Sequence, residues 1–259
     1  MGESNYQAQF KRYLATVKNN VGGDLHNPRR VEHHFECLKD WSLFHDLDSV
    51  KTWFQEKRDS SSMNIEVIPL RTTRKWLLDE ATGDICHESG EFFTIHGLRI
   101  SNSGDREVGS EGWDQPILTQ AGYDGGILGL LSKRFEGIPH YLIEAKAEPG
   151  NYEKLQLSPT LQATFSNLKR AHAGRKPHFS EYFENPDDNE VTVLYKQWLS
   201  EDGGRLYLKR NLGMLVELDD SIELDIPDSF IWLSMFQIKE LLNENAWINP
   251  HIRGIIAHL

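Results

Sequence analysis

Cysteine is scarce in this chain. Its 259 residues include only Cys37 and Cys86. They form no C-x-x-C pair, so there is no disulfide framework and no zinc signature. Long apolar runs are missing as well. Stretches such as G-I-L-G-L-L over 126–131 are far too short to span a bilayer. The opening M-G-E-S-N-Y-Q-A-Q-F lacks the apolar core of a secretory signal. A cytoplasmic protein without a membrane partner is expected. Positive charge is in deficit, with 28 Lys and Arg against 39 Asp and Glu and a net charge of −11. This balance argues against a nucleic-acid partner, yet it leaves room for a local basic pocket holding an anionic small molecule. Walker A, G-x-S-x-G and H-E-x-x-H signatures are all missing. The glycines from Gly122 lack dinucleotide-binding spacing, and His33 and His34 are adjacent rather than four apart. No metal site is expected.

What is present changes character along the chain. Residues 4–20 read as a helix, 24–30 as a loop, 31–39 as a short helix, and 49–58 as a helix capped by Asp48. Together, residues 1–62 form an expected N-terminal helical arm. From Met63 the period shortens. Strands are expected over 65–70, 76–78, 85–87, 92–101, 116–120, 127–134 and 139–148, with a polar loop over 102–112. Ser158-Pro159 looks like a cap and first helical residue, followed by Leu161, Phe165 and Leu168 at helical spacing. Residues 191–199 and 205–210 read as a hairpin, 213–218 as a strand, and 229–243 as a helix capped by Asp228 or Ser229. A last helix opens at Asn249-Pro250. Strands dominate the middle and helices the flanks, which is an α+β pattern with a mixed or antiparallel sheet. The second unit, 63–259, carries the chemistry.

The strand I-E-A-K-A-E from Ile143, closed by Pro-Gly-Asn, sets Glu144, Lys146 and Glu148 on one face together with His140. By itself the pattern fits a solvated, salt-bridged strand face as well as an active site. Gln115 and Gln120 flank a nearby strand, and Gln162 and Asn167 fall off the apolar stripe that follows. Amides and a few charges beside an apolar sheet suit a sugar and a phosphate better than an apolar ligand.

Six runs carry a closer resemblance. They are H-E-S-G-E-F-F-T-I-H-G-L-R-I from His87, G-W-D-Q-P-I-L-T-Q from Gly112, G-I-L-G-L-L from Gly126, E-A-K-A-E-P-G-N from Glu144, Q-L-S-P-T-L-Q-A-T-F-S-N from Gln156 and L-K-R-N-L-G-M-L-V-E-L from Leu208. In this order they resemble the NDP-hexose 2,3-dehydratase family. The resemblance implies a Nudix-like mixed sheet flanked by helices. It also implies loss of water from a nucleotide-linked 4-keto-6-deoxyhexose. The Nudix hydrolase box is missing, so Mg²⁺-dependent pyrophosphate cleavage is not expected. Family proteins carry two such units in tandem and this chain has one, so a homodimer is expected to replace the covalent pair. The family often has glutamine at the position of Glu144.

The 4-keto group acidifies the proton on C3, and its removal gives an enolate that expels the C2 hydroxyl. Such a site needs a base, an acid, an oxyanion stabiliser and a nucleotide anchor. For that chemistry Glu148 is the candidate base or acid and Lys146 the candidate for the enolate or for proton shuttling, and because elimination conserves oxidation state within the sugar no cofactor is expected. His140, His87 and Glu144 complete the catalytic candidates. Gln115, Gln120, Asn151, Gln162 and Asn167 are candidates for the sugar and nucleobase, Arg170, Lys209 and Arg210 for the diphosphate, and Trp113 and Tyr207 for stacking. A non-catalytic sugar-nucleotide-binding module and a ketosugar isomerase are the competing functions.

Overall fold

A computed structural model of the chain describes residues 4–22, 25–101, 112–120, 125–168 and 176–259. Three helices come first. α1 (Asn5–Val21) starts with a capping box between Ser4 and Gln7 and ends at Gly22 in the left-handed region. α2 (Pro28–Glu36) begins inside the expected loop, because the Asn27 side chain accepts the N–H of Arg29 and Pro28 starts the first turn. α3 (Leu47–Asp59) is capped by Asp46 rather than Asp48, through the N–H of Ser49 at 2.7 Å. Its Val50 and Phe54 are fully buried in the main core. Glu32 of α2 is forked by Arg134 at 2.8 and 3.0 Å and bonded to Arg29 at 2.8 Å. The hydroxyl of Tyr141 donates to Glu36 at 2.8 Å.

The strand expected over 65–70 does not form: residues 65–69 have no regular element and Leu70 opens a short 3-10 turn to Thr72. β1 (Trp76–Leu78), β2 (Ile85–His87), β3 (Phe93–Ile100) and β4 (Trp113–Gln120) then build a four-stranded antiparallel sheet in sequential order. A larger sheet follows. β5 (Gly126–Phe135) and β6 (Ile138–Ala147) form a hairpin through Glu136-Gly137, both at positive φ, which suits a tight two-residue turn. β10 (Arg210–Leu218) lies parallel to β5 and antiparallel to β9 (Val191–Ser200). β11 (Phe230–Leu233) lies antiparallel to β6. The sheet is therefore mixed, and the chain has the expected α+β class. One core cluster gathers Tyr141, Ile143, Leu215 and Ile252, and a second gathers Leu131, Leu142, Met214 and Trp232. On β6 the alternation of Tyr141, Leu142 and Ile143 sends neighbouring side chains into different clusters.

The feature that positions the site is a fork. β5 and β6 stay paired from their turn up to Leu131 and Leu142. Beyond that point β7 (Leu155–Pro159) takes over pairing with β6, and β8 (Leu161–Thr164) takes over with β5. Thr160 stands at the crotch. Its hydroxyl accepts from the N–H of Leu131 at 2.9 Å and donates to the carbonyl of Leu142 at 2.5 Å. One side chain thus replaces the ladder that ends there.

The fork corrects the expected helix at Ser158-Pro159. Both residues end β7, and only α4 (Phe165–Leu168) is helical in this stretch. Pro159 is tolerated because it is the last residue of its strand. Of residues 205–210 only Arg210 pairs with β9, as the first residue of β10, and residues 201–209 form the connection. The expected helix over 229–243 is β11 followed by α6 (Met235–Leu241). Its cap is Ser234, in a capping box with Gln237. α5 (Glu181–Glu184) and α7 (Pro250–Ile256) complete the helices used below.

Candidate active site

Two cavities adjoin at the mouth of the fork, with volumes of about 630 Å³ and about 340 Å³. Glu148, Gln162 and His251 line both. The wall they share comes from the end of β6, from β8 and from the first turn of α7. The Lys146 ammonium is tied to this wall from two sides. It donates to the carbonyl of Gln162 at 3.0 Å and lies 3.5 Å from the carboxylate of Glu148. The Gln162 side-chain oxygen is buried and has no protein partner, so an acceptor is left over at the wall.

The larger cavity is bordered by the turn Pro149-Gly150-Asn151-Tyr152 and by Arg253. The side-chain amide of Asn151 donates to the carbonyls of Lys146 and Lys154, each at 3.3 Å. The Pro-Gly-Asn stop therefore folds back onto the strand that carries Lys146. The smaller cavity holds Phe93, Asn167, Glu201, Lys209 and Asn211. Lys209 bonds to Gln120, and Asn211 bonds to Glu201. Burial pushes the Lys209 ammonium below its ordinary pKa, with Glu201 opposing. His251 Nδ1 lies 3.8 Å from Glu201. Burial also pushes the pKa of His251 down, against the opposing pull of Glu201.

Other expected site residues lie elsewhere. His140 is fully buried, beside Phe44 and Phe135. Its Nε2 accepts from the N–H of Leu43 at 3.1 Å and its Nδ1 is 3.0 Å from the carbonyl of Ile138, so both ring nitrogens are occupied. Six residues of strand, roughly 20 Å, separate it from Lys146. His87 sits in the smaller sheet, paired with Ser89 at 2.8 Å and edge-on to Trp76 and Phe92. Glu144 lies in register with Ser158 and Phe230, outside both linings, and burial raises its pKa. Trp113 donates to Gln115 at 2.7 Å, and Gln115 donates to the carbonyl of Gly204 at 3.0 Å. Tyr207 is edge-on to His96, and Arg210 stacks over Trp198 at 4.4 Å. Arg170 and most of the polar loop, 102–111, lie outside the described residues.

Glu201, Asn211 and His251 were not singled out by the sequence reading. One signal did point toward His251: Asn249-Pro250 marks a helix start, which puts the next residue in the first turn of a helix. The Asn249 side chain accepts the N–H of His251 at 2.8 Å. The backbone of 247–249 docks on Leu157, with Leu157 donating to Trp247 at 2.8 Å and Asn249 donating to Leu157 at 2.9 Å. β7 thereby sets the start of α7 at the cleft. Among the described residues, no group of three His, Cys, Asp or Glu side chains is placed to hold a metal ion. No described helix is long and apolar enough to cross a membrane.

A lysine, two carboxylates, a histidine and several amides around one cleft equip this protein for proton transfer on a polar ligand. Residues 47–259 match the family model described as NDP-hexose 2,3-dehydratase, and the chain belongs to that family. It is 40% identical over 214 residues to a protein of Amycolatopsis orientalis, covering 82% of this chain and 44% of that one. It is 37% identical over 214 residues to one of Streptomyces violaceoruber, covering 83% and 46%. Both relatives are named dTDP-4-dehydro-6-deoxy-alpha-D-glucopyranose 2,3-dehydratase. The chain spans less than half the length of these relatives. Among solved structures it is similar to a Nudix hydrolase from M. Smegmatis, RenU, at 12% identity and a TM-score of 0.31, covering 62% of this chain and 97% of that one. It is also similar to an ADP compounds hydrolase at 13% identity and a TM-score of 0.36, covering 64% and 83%.

Proposed function

We propose that this chain is a sugar-nucleotide 2,3-dehydratase that removes water from an NDP-4-keto-6-deoxyhexose of gluco configuration, giving a 3,4-diketo-2,6-dideoxyhexose. The observation that carries the reading is the tie of Lys146 to Glu148 and to the Gln162 carbonyl at the wall shared by two cavities. A two-lobed cleft suits a ligand with a hexose at one end and a nucleotide at the other. Lys146 stabilises the enolate oxygen, where a fixed cation acts on charge that develops only during reaction. Glu148 holds the lysine in place and takes part in proton transfer. Gln162 and Asn167 bind sugar hydroxyls. Arg253 on the rim of the larger cavity is the anchor for the diphosphate.

The unit works as a homodimer in the cytoplasm. The greater length of the relatives supports a second unit. So does a run of exposed apolar side chains, with Val67 at 97%, Leu70 at 53% and Leu78 at 63% exposure. Sedimentation as a fully active monomer rules the dimer out.

Incubation with NDP-4-keto-6-deoxyhexoses in deuterated water tests the activity. Loss of water with deuterium at C2 of the product is the expected result. Exchange or isomerisation without loss of water makes the chain an isomerase instead. A nucleotide-dependent rise in melting temperature without turnover makes it a binding module.

A further inference from the structure

Among the described residues, His251 is the one imidazole on the wall shared by the two cavities. It reaches that wall from the far end of the chain, and no role follows for it from the strand that carries Lys146 and Glu148. Its surroundings are those of a working base. Nδ1 is the nitrogen turned to Glu201, at 3.8 Å, which leaves Nε2 for a ligand. Glu201 is held in turn by the side-chain amide of Asn211. A carboxylate behind an imidazole fixes its tautomer and stabilises the imidazolium that forms on proton uptake. Catalytic hydrogen bonds are often long before a ligand fills the site. The charges that act on the ring are Glu201 from the connection after β9 and Lys146 and Glu148 from the end of β6. Lys209 shares the smaller cavity with it, and Glu244 and Arg253 share the larger one.

Resting on the dehydratase reading above, we infer that His251, oriented by Glu201, is a catalytic residue that carries the C3 proton of the sugar to the departing C2 hydroxyl. In a 4-keto sugar of D-gluco configuration, the C3 hydrogen and the C2 hydroxyl lie on one face of the ring. A single group on that face can serve both. Nε2 takes the C3 proton, the C3–H electron pair becomes the C3–C4 double bond, and the carbonyl electrons move to O4 beside Lys146. The enolate then restores C4=O, forms C2=C3 and breaks the C2–O bond. The same proton passes from Nε2 to the leaving oxygen, so water departs and His251 is neutral again. Glu148, on the same wall, relays the 3-hydroxyl proton of the enol left behind to solvent, and C2 gains a proton from solvent. Oxidation state is conserved within the sugar, and no co-reactant is required.

The test uses the 259-residue chain with dTDP-4-keto-6-deoxyglucose, recording kcat and KM against pH for the wild type, His251→Asn and Glu201→Gln, with melting curves as a check of folding. His251→Asn is expected to lose about a hundredfold or more in kcat, with KM changed by less than about threefold. In Glu201→Gln, loss of the carboxylate lowers the pKa of His251, so the acidic limb of the kcat profile moves to lower pH. A structural role for Glu201 would lower activity without moving that limb. Full kcat in His251→Asn overturns the inference. An unmoved limb in Glu201→Gln does the same, and this arm decides the matter if the Asn variant misfolds. A wild type that binds the nucleotide sugar but never eliminates water overturns the dehydratase reading and this assignment together. A wild type that eliminates beside an equally fast His251→Asn overturns the histidine alone.

Discussion

Lys146 donates to the carbonyl oxygen of Gln162 at 3.0 Å, so a residue of β6 grips β8 across the gap between them. The lysine is about a fifth exposed and its carboxylate partner Glu148 more so. Such a pair contributes about 0–1 kcal/mol to folding. Replacement of Lys146 by Ala is therefore expected to leave the denaturation midpoint nearly unchanged while turnover falls by about a hundredfold or more. Chemical denaturation and a dehydration assay on the same preparation check both halves. Wild-type turnover in the variant removes Lys146 from the mechanism.

Glu148→Gln keeps the size and hydrogen-bonding capacity of the side chain and removes its charge. Turnover is expected to fall by about a hundredfold, with nucleotide affinity preserved because the larger cavity keeps its other lining residues. Calorimetric titration with the nucleoside diphosphate, run beside the activity assay, separates the two effects. A parallel loss of affinity would make Glu148 a binding residue.

Thr160→Val is nearly isosteric but removes the hydroxyl that bridges Leu131 and Leu142. A buried N–H and a buried carbonyl lose a partner, at a cost of about 1–3 kcal/mol each. Thr160→Ser keeps the bridge and is expected to lose much less. Urea titrations of the two variants should differ by about 2 kcal/mol or more; equal midpoints would show that the fork does not depend on the hydroxyl.

Arg134→Met takes one cation from the cluster that ties α2 to the large sheet and weakens the neutralisation of buried Glu32 and half-buried Glu217. Arg29 still bonds both carboxylates, so the expected cost is about 1–3 kcal/mol. Burial already pushes the Glu32 carboxyl up to about 7. A carboxyl whose folded-state pKa lies above its unfolded value contributes stability at low pH that is lost as pH rises through the folded-state value. Loss of the arginine moves that value higher still. The deficit of the variant should therefore be largest near pH 8 and shrink toward pH 5, as read from denaturation midpoints across that range.

Much of the fold is legible in the sequence because it rests on local signals. Alternation and turn residues mark β1, β2, β3, β5 and β6, and Ser4 and Gln7 announce α1. The misread elements are those where a local signal competes with a distant partner. Ser158-Pro159 looks like a helix start, yet Leu161 and Ala163 are buried while Gln162 and Thr164 are not, and that period-two pattern belongs to β8. The apolar run Phe230–Leu233 merges by eye with the helix after it, although Ser234 and Gln237 spell a capping box. The site divides in the same way. Lys146, Glu148 and Asn151 are neighbours in sequence and are readable together. Glu201, Asn211 and His251 converge only because β10 pairs with both β9 and β5 and because 247–249 docks on β7, and no local pattern encodes that meeting.

The connection 201–209 joins β9 to β10 and also clasps the smaller sheet. Leu118 donates to Arg205 at 3.0 Å and accepts from Tyr207 at 2.8 Å, while Glu201 and Lys209 at its two ends face the cleft. The smaller sheet therefore holds a strap whose two ends line the cleft. Drift in its sequence can re-aim those ends by fractions of an ångström while the fork stays untouched. This gives the protein a place to reshape the cleft, separate from the place that keeps it folded.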